Sequence, residues 1–353
     1  MDKWATWAEI HAQPDIWRAW GQTFDPQPVH DWIAGLDIDQ IWLTGAGTSA
    51  FIGDIIAAGL EGRAGPIIRS VPSTDIVSRP SQYLQSGRML VVSFGRSGDS
   101  TETIGVLDAL DALAPAAPRL NITCNSKGAL ARRKSTGGAQ RAIILPRETH
   151  DKGFAMTSSF STMLLTALSV LDRPVGFAHR MSDLATELSA LLSREPFAAK
   201  RPKRAVFLGT GPMAYAAREA ALKVMELTAG ETAALWDSTL GFRHGPKSFV
   251  QDETDIFVLT CNDAHAHGYE RDLIDELRHQ YPGSGITTIG AGQDIAFDMP
   301  DGPVWAAPLA IAVAQVLGAR WSADMGLNVD DPFAGRGTLT RVVSGVQLYP
   351  VHP

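Results

Sequence analysis

The chain has 353 residues, of which 45% are hydrophobic and 20% are charged, a composition that predicts a folded protein rather than a disordered one. Its net charge of −7 argues against a nucleic-acid partner, and two cysteines exclude a disulfide scaffold. At about 100–200 residues per domain, the length predicts two domains. The 33 glycines exceed the usual share of ~7%, which favours tight strand-to-helix turns or anion-binding loops.

The sequence shows neither a secretory signal nor a membrane span. The N-terminus has no basic region followed by an apolar one. The longest apolar stretch, Leu309–Trp321, is interrupted by Gln315 and Arg320 and is too short to cross a bilayer. We therefore expect a cytoplasmic protein without a membrane partner.

The first 35 residues are rich in tryptophan. Trp4 and Trp7 lie three positions apart, as do Trp17 and Trp20. This spacing predicts two short helices that are separated by a break at Pro14. We expect their aromatic side chains to cover the edge of a core or a subunit interface.

Short apolar runs then alternate with amphipathic segments. The expected strands of the first series are Ile41–Leu43, Met89–Ser93, Leu120–Cys124 and Ala142–Leu145, and the expected helices are Ser49–Leu60 and Ser100–Leu113. Such βαβα alternation is typical of a parallel sheet that is covered by helices on both faces.

A second series repeats the first. The strand Ala205–Leu208 leads through glycines into a helix, as Ile41–Leu43 does, and Leu208 follows Leu43 by 165 positions (208 − 43). The matching pairs further along have offsets of 167 and 165, which indicates a tandem duplication. We predict an α/β fold of two three-layer α-β-α domains with parallel sheets.

Four segments follow from this organisation. The leucines of the middle segment recur at helical spacing, which predicts an amphipathic connector. The predicted boundaries are 1–35 for an N-terminal helical cap, 36–178 for the first domain, 179–203 for the connector and 204–353 for the second domain with a C-terminal tail.

Two loops of the first copy combine glycine with hydroxyl side chains at the start of a helix. Loops at the carboxyl ends of parallel strands converge on one crevice, where backbone N–H groups and helix N-termini bind anions. The candidate phosphate-binding residues are Gly47, Thr48, Ser49, Arg96, Ser97, Ser100 and Thr101. For one loop alone, N-capping by the hydroxyls explains the pattern as well.

The alternatives for this crevice are weaker. Gly45–Ala50 lacks the third glycine of a dinucleotide fingerprint, and no acidic residue ends a second strand about 20 residues later. The matching stretch of the second copy, Thr260–His267, lacks the glycine and serine pattern. The phosphate site is therefore expected in the first copy only.

The second copy carries candidate acid–base groups. Glu226 lies near the end of an Ala-rich helix, next to Met225 and Leu227, which would give it apolar surroundings. His244 lies in a restricted turn before a Gly-Pro pair, which suits a positioned acid–base group. For Glu219 and Lys223 the spacing favours a surface ion pair.

A metal site is not expected. His265 and His267 lie two positions apart, but no third ligand stands in register with them. We predict neither a metal nor an organic cofactor.

Several motifs in order resemble the sugar isomerase (SIS) family, and within it the galactosamine-6-phosphate deaminase/isomerase group. The resemblance covers nearly the whole chain. The motifs are Gly45–Ser49, Ser97–Ser100, Phe154–Phe160, Ala221–Gly230, Asp237–Ser248 and Arg341–Val346. The isomerase half of glucosamine-6-phosphate synthase is a more distant relative.

The resemblance implies a flavodoxin-like fold and specific roles for residues. The phosphate-binding hydroxyls fall on Ser97 and Ser100, the sugar contact on Thr48, the general base on Glu226 and the ring-opening histidine on His244. Thr157 and Ser158 join the substrate-binding set. The synthase's glutaminase domain and C-terminal lysine have no match, so glutamine-fed ammonia transfer is not expected, and Arg341 is the candidate replacement for the lysine.

The function implied is isomerising deamination of galactosamine 6-phosphate to tagatose 6-phosphate and ammonia. In the synthase the histidine comes from the neighbouring subunit, which implies a homodimer or larger homo-oligomer with shared sites. Aldose–ketose isomerisation of neutral hexose 6-phosphates and non-catalytic sensing of sugar phosphates are the alternatives. A sensor would need the phosphate loops but neither Glu226 nor His244.

Overall fold

The computed structural model describes residues 1–84, 87–198, 200–337, 339–343 and 345–351, so Ser344 of the C-terminal motif lies outside the described residues. The chain forms two compact units, and each combines distant stretches of sequence. The sheet-1 unit contains Thr23–Asp151, Ser158–Phe177 and Leu339–Pro353, and the sheet-2 unit contains Met1–Gln22, Lys152–Thr157 and Ala178–Thr338.

The sheet-1 unit is built on five parallel strands. They are β1 (Gln40–Thr44), β2 (Ile67–Ser70), β3 (Met89–Gly95), β4 (Arg119–Thr123) and β5 (Gln140–Ile144), in the order β2-β1-β3-β4-β5. Its helices are α2 (Gln27–Ala34), α3 (Thr48–Gly59), α4 (Ser73–Ser78), α5 (Pro80–Tyr83), α6 (Thr101–Leu113), α7 (Ala129–Arg132) and α8 (Ser158–Leu171). Strands β3 and β4 are buried along their whole length.

The sheet-2 unit repeats this plan. Its strands are β6 (Arg204–Gly209), β7 (Ala233–Ser238), β8 (Thr254–Leu259), β9 (Gly285–Gly290) and β10 (Ile295–Ala296), in the order β7-β6-β8-β9-β10. Its helices are α1 (Ala5–Thr23), α9 (Phe177–Leu192), α10 (Pro212–Leu227), α11 (Ala264–Gln280) and α12 (Pro303–Asp324). The last residue of α1, Thr23, and the first residue of α9, Phe177, belong to the sheet-1 unit.

Both sheets have the flavodoxin-like order 2-1-3-4-5, which confirms the predicted fold class. Every strand that the sequence predicted is present. Strands β2, β7 and β10 were missed. The first two are exposed or half-buried along their length and so lack the continuous apolar run of a central strand, and β10 has only two residues. The domain boundaries remain predictions.

The expected break at Pro14 is wrong, because α1 continues through this residue. Proline has no N–H group, so the carbonyl of Ile10 loses its usual donor four residues later. The Gln13 side chain donates to that carbonyl at 3.0 Å and also to Oε1 of Gln315 at 2.9 Å. The helix therefore accommodates the proline by replacing the lost hydrogen bond with one from a side chain.

Helix α12 is a long apolar helix. It is long and apolar enough to cross a bilayer by length and composition, but 94% of its most apolar window is buried inside the protein. It packs against α10, and such burial is typical of a core helix.

Two glycines at equivalent positions of the two copies have nearly identical backbone dihedral angles. Gly47 before α3 has φ 55° and ψ −130°, and Gly211 before α10 has φ 57° and ψ −129°. Side-chain-bearing residues avoid this conformation for steric reasons, so both strand-to-helix turns depend on glycine.

We predict that Gly211→Ala lowers the free energy of unfolding by roughly 1–3 kcal/mol, because alanine is strained at this φ. The matched control is Gly268→Ala within α11, where an added Cβ meets nothing and should stabilise the helix by about 0.5–1 kcal/mol. Urea unfolding measures both variants. Equal effects of the two substitutions would contradict the prediction.

Candidate active site

The two predicted phosphate loops lie at one edge of the sheet-1 unit. Strand β1 pairs directly with β3, with Thr44 opposite Ser93, so the loops that follow them are neighbours. This position, where the strand order reverses, is where ligands bind in open parallel sheets. Thr48 and Ser49 begin α3 and are buried, whereas Gly47 is exposed.

The β3–α6 loop is anchored by two side chains that the sequence analysis did not single out. The Asp99 carboxylate accepts the Ala129 N–H at 2.7 Å, and the Asn125 amide donates to the Ser97 carbonyl at 2.8 Å. Asn125 also donates to Asp99 at 3.3 Å. These contacts hold the serine- and glycine-rich turn against the loop after β4. Asp99 lies within the Ser97–Ser100 motif, but the sequence analysis assigned a function only to the hydroxyl side chains of that motif.

Ser100 serves as the N-cap of α6. Its Oγ accepts the Thr103 N–H at 3.3 Å and lies 2.8 Å from the Thr103 hydroxyl. N-capping, the alternative explanation for the hydroxyl side chains in these loops, therefore applies to Ser100. The Thr101 N–H at the helix start donates to the carbonyl of Val343 in the C-terminal tail at 3.4 Å.

Arg96 and Arg341 meet in the sheet-1 unit. The buried Arg96 guanidinium donates to the Arg341 carbonyl at 3.0 Å, and the Arg341 guanidinium donates to the Asp151 carbonyl. Burial of His150, together with the positive charges of Arg341 and Arg96, lowers the pKa of its imidazole. Two cations thus lie beside a neutral imidazole, an arrangement that favours an anion.

Thr157 and Ser158 are both fully buried. Asp151 accepts the N–H groups of Ser158 and Ser159 at 3.0 Å each, so its carboxylate caps α8. The Ser158 N–H therefore already has an acceptor. Thr157 belongs to the sheet-2 unit, whereas the phosphate loops belong to the sheet-1 unit.

Glu226 lies near the end of α10 in a cluster of three charges. The Lys223 Nζ lies 2.5 Å from Glu226 Oε2 and 3.3 Å from Glu219 Oε1. The side chains of Lys223 and Glu219 are completely buried, and that of Glu226 is 21% exposed. The expected surface pair between Glu219 and Lys223 is therefore wrong, because both charges lie inside the unit.

The expected apolar surroundings of Glu226 are wrong in part. Leu227 is buried, but Met225 is exposed and the nearest charged group is the Lys223 ammonium. Burial by itself would lower the pKa of Lys223, but the carboxylates of Glu219 and Glu226 outweigh it and raise that pKa. The lysine is therefore a permanent cation between two carboxylates.

Close packing of α10 on α12 explains why Lys223 is buried. A Cβ on Gly318 of α12 would lie 3.2 Å from the Lys223 carbonyl oxygen and 2.9 Å from a Leu227 methyl. The facing side of α10 is rich in buried alanines, which also allow a close approach. The close packing at Lys223 and Leu227 thus depends on a helix about 90 residues further along the chain.

His244 lies between two short 3-10 turns, Gly241–Arg243 and Pro246–Phe249, and is exposed. Glu276 of α11 holds the residues on either side of it. Its carboxylate accepts the Arg243 Nε–H at 2.7 Å and also pairs with the Lys247 ammonium. Glu276 follows Arg243 by 33 residues, so no local spacing in the sequence indicates this contact.

Within the part of the chain that the structure describes, no hydrogen bond or ion pair joins Glu226 to His244, although both lie in the sheet-2 unit. The same described part contains no cluster of three His, Cys, Asp or Glu side chains that could hold a metal. His265 packs against Tyr269, and His267 lies 3.8 Å from Glu270.

The comparisons with known proteins agree with this fold. Residues 36–171 match the family model of the SIS domain. The chain is 40% identical to the D-galactosamine-6-phosphate deaminase AgaS of Escherichia coli, over 88% of this chain and 85% of that one. The crystal structure of tagatose-6-phosphate ketose/aldose isomerase from Escherichia coli superposes with a TM-score of 0.87 at 36% identity, covering 98% of this chain and 97% of that one.

A more distant match is the isomerizing glutamine–fructose-6-phosphate aminotransferase of Streptococcus pyogenes, which is 25% identical over 84% of this chain and 50% of its own length. The chain therefore belongs to the SIS family of sugar-phosphate proteins. Within that family it belongs to the group of the AgaS deaminase. Both statements confirm the resemblance inferred from the motifs.

We predict that His150 makes the stability of the protein sensitive to acid. Since the folded state lowers its pKa, the unfolded imidazole, with a pKa of about 6.5, binds the proton more readily. Stability is therefore lost as the pH falls below about 6.5, by up to about 1.4 kcal/mol per pH unit.

Urea unfolding at pH 7.5 and 5.5 tests this prediction. The variant His150→Gln should lose less stability on acidification than the wild type does. The control, His179→Gln, removes an exposed histidine and should behave like the wild type. An unchanged pH dependence in His150→Gln would contradict the assignment.

Proposed function

We propose that this protein catalyses the isomerising deamination of galactosamine 6-phosphate to tagatose 6-phosphate and ammonia, in amino-sugar catabolism. The main support is the 40% identity with the AgaS deaminase over most of both chains. The phosphate loops and the charged cluster around Glu226 supply the groups that such a reaction requires.

We assign phosphate binding to the sheet-1 unit. The backbone of the turns at Gly47 and Ser97, the hydroxyls of Thr48 and Ser49, and the Arg96 guanidinium would surround the phosphate at the helix N-termini. Ser100 and Thr101 contribute at the start of α6, and Arg341 and Ser158 complete the proposed set in this unit. The substrate-binding role of Thr157, which belongs to the sheet-2 unit, stays a prediction. Contacts to a phosphate remote from the reacting carbons supply binding energy that can be used at those carbons.

We assign proton transfer to the sheet-2 unit. His244 moves a proton at the ring oxygen and so opens the sugar. Glu226 removes the proton from C2 of the open-chain aldehyde and returns it to C1, which converts the 2-amino aldose into a 2-imino compound. Water adds to C2 of this imine, ammonia leaves, and the ketose remains.

Lys223 keeps the charge of this cluster balanced. A buried carboxylate without a partner is costly, and an ammonium between two carboxylates reduces that cost. The cation also fixes the position of the Glu226 carboxylate, because the lysine is itself held by Glu219. The base is therefore positioned before the substrate arrives.

Isomerisation of a neutral hexose 6-phosphate is the second candidate function. It is favoured by the structural match with the tagatose-6-phosphate ketose/aldose isomerase. Glu226 and His244 would serve that reaction equally well, since it moves the same proton between C2 and C1. The two functions differ only in whether nitrogen is released.

We predict that the protein releases ammonia from galactosamine 6-phosphate. A coupled ammonia assay with galactosamine 6-phosphate, glucosamine 6-phosphate and their N-acetylated forms measures this release. Tagatose 6-phosphate serves as the control for plain isomerisation. If only neutral sugar phosphates are converted, the deaminase proposal is wrong and the isomerase alternative is supported.

We further propose that the chain works in the cytoplasm as a homodimer or larger homo-oligomer. Two free, buried cysteines fit a reducing compartment. The exposure of His244, on a loop held by Glu276, fits a histidine that serves the site of another copy.

We predict that Glu226→Gln and His244→Asn each bind substrate but lose turnover. Mixing the two variants after subunit exchange should restore about a quarter of the wild-type rate, because half of randomly assorted dimers are mixed and each has one intact site. Calorimetry measures binding, and the ammonia assay measures turnover. Full turnover by Glu226→Gln would contradict the base assignment, and no recovery on mixing would contradict the shared site.

A further inference from the structure

The sheet-2 unit has a crevice with the same topology as the crevice of the sheet-1 unit, but a different chemical group lies in it. Strand β6 pairs with β8, with Leu208 opposite Val258, just as β1 pairs with β3. The loops after β6 and β8 therefore meet at the point where the strand order reverses, which is the ligand position in this topology.

The carboxylate of Glu270 lies at this position. Glu270 projects from α11 and its side chain is completely buried. Its Oε1 accepts the N–H of Cys261, which follows β8, at 3.0 Å. The hydroxyl of Thr210, in the turn after β6, lies 2.8 Å from the Thr239 hydroxyl and is close enough to the carboxylate to lower its pKa. One side-chain carboxylate thus accepts a hydrogen bond from the loop after β8 and lies beside the turn after β6, as a bound anion would.

The corresponding position of the sheet-1 unit carries a smaller side chain. Glu270 is followed by buried residues at spacings of three, four and seven, namely Leu273, Ile274 and Leu277. In α6 the same spacings lead from Thr103 to the buried residues Val106, Leu107 and Leu110. Thr103 is therefore the counterpart of Glu270 on the sheet-facing side of its helix. A threonine side chain is shorter than a glutamate side chain and carries no carboxylate.

We propose that Glu270 is an internal ligand, whose carboxylate occupies the oxyanion site of the second copy. The duplication produced two crevices with the same topology, and in the second one a side chain of the chain itself has replaced the external anion. The occupied site is of the size and polarity that takes a small carboxylate. Each chain consequently offers one crevice of this kind to a phosphate, the one in the sheet-1 unit.

The energetics of burial support this assignment. Burial raises the pKa of Glu270, whereas the Cys261 N–H and the Thr210 hydroxyl oppose that rise. The Cys261 N–H and Glu270 Oε1 satisfy one another, and either of them alone would lack a partner in a dry site, whereas Oε2 has no hydrogen-bond partner among the described residues. The Nδ1 atom of His267, on the same helix, lies 3.8 Å from Glu270 Oε2.

The first test asks whether the vacated site binds an added anion. Glu270→Thr places the sheet-1 residue in the second crevice and removes the carboxylate. We expect its Tm to lie below that of the wild type and to rise saturably with sodium formate, but not with sodium chloride at equal ionic strength. The wild type, whose sheet-1 crevice also remains open to anions, should respond less to formate than the variant does. Equal responses of variant and wild type to formate would overturn the proposal.

The second test does not depend on how well Glu270→Thr folds. Glu270→Gln keeps an acceptor oxygen for Cys261, whereas Glu270→Met fills a similar volume without one. We expect the Tm of Glu270→Met to lie roughly 3–8 °C below that of Glu270→Gln. If the methionine variant is as stable as the glutamine variant, the carboxylate is not an internal ligand.

Although the comparison with the sheet-1 unit rests on the proposed phosphate site, neither test measures catalysis. Loss of the deaminase proposal in the ammonia assay would leave these Tm differences unchanged. The two proposals can therefore fail separately.

Discussion

The pairing of β1 with β3, and of β6 with β8, is the constraint on which both units depend. A parallel pair needs a long crossover, so a helix and a further strand lie between the two partners. The pairing brings together two loops that are about 50 residues apart in sequence, each at the start of a helix. Both the proposed phosphate loops of the sheet-1 unit and the Glu270 site of the sheet-2 unit lie at this junction.

A second feature of the structure is a cluster of charged side chains inside the sheet-2 unit. Lys223 is fully enclosed, and its two carboxylates compensate for a desolvation cost that would otherwise favour its neutral form. Removing one member of such a cluster leaves an uncompensated charge, which costs about 3–5 kcal/mol. Buried ion pairs are weak evidence for a role in stability. The cluster of Lys223 with Glu219 and Glu226 is better suited to holding one carboxylate in a defined position.

The two copies have diverged by changing side chains on a conserved backbone. The turns at Gly47 and Gly211 keep nearly identical dihedral angles, and the strand orders are the same. What differs is the chemistry of the loops and helices at the crevice, with hydroxyls and an arginine in one copy and the buried Glu270 carboxyl group in the other. This division agrees with the proposal that the first copy binds phosphate and the second supplies proton transfer.

The sequence by itself determined the α/β class, the duplication and the places of the two glycine-rich loops that we propose to bind phosphate, because these follow from local apolar runs and from glycine turns. Spacing along the chain shows which residues share a helix face, but it does not show what covers that face. Only the tertiary structure decided that Lys223 is buried beneath α12, that Gln13 compensates for Pro14, and that Glu276 holds the His244 loop. Each of these outcomes depends on a contact between residues far apart in sequence or on packing around the helix, and neither leaves a local pattern.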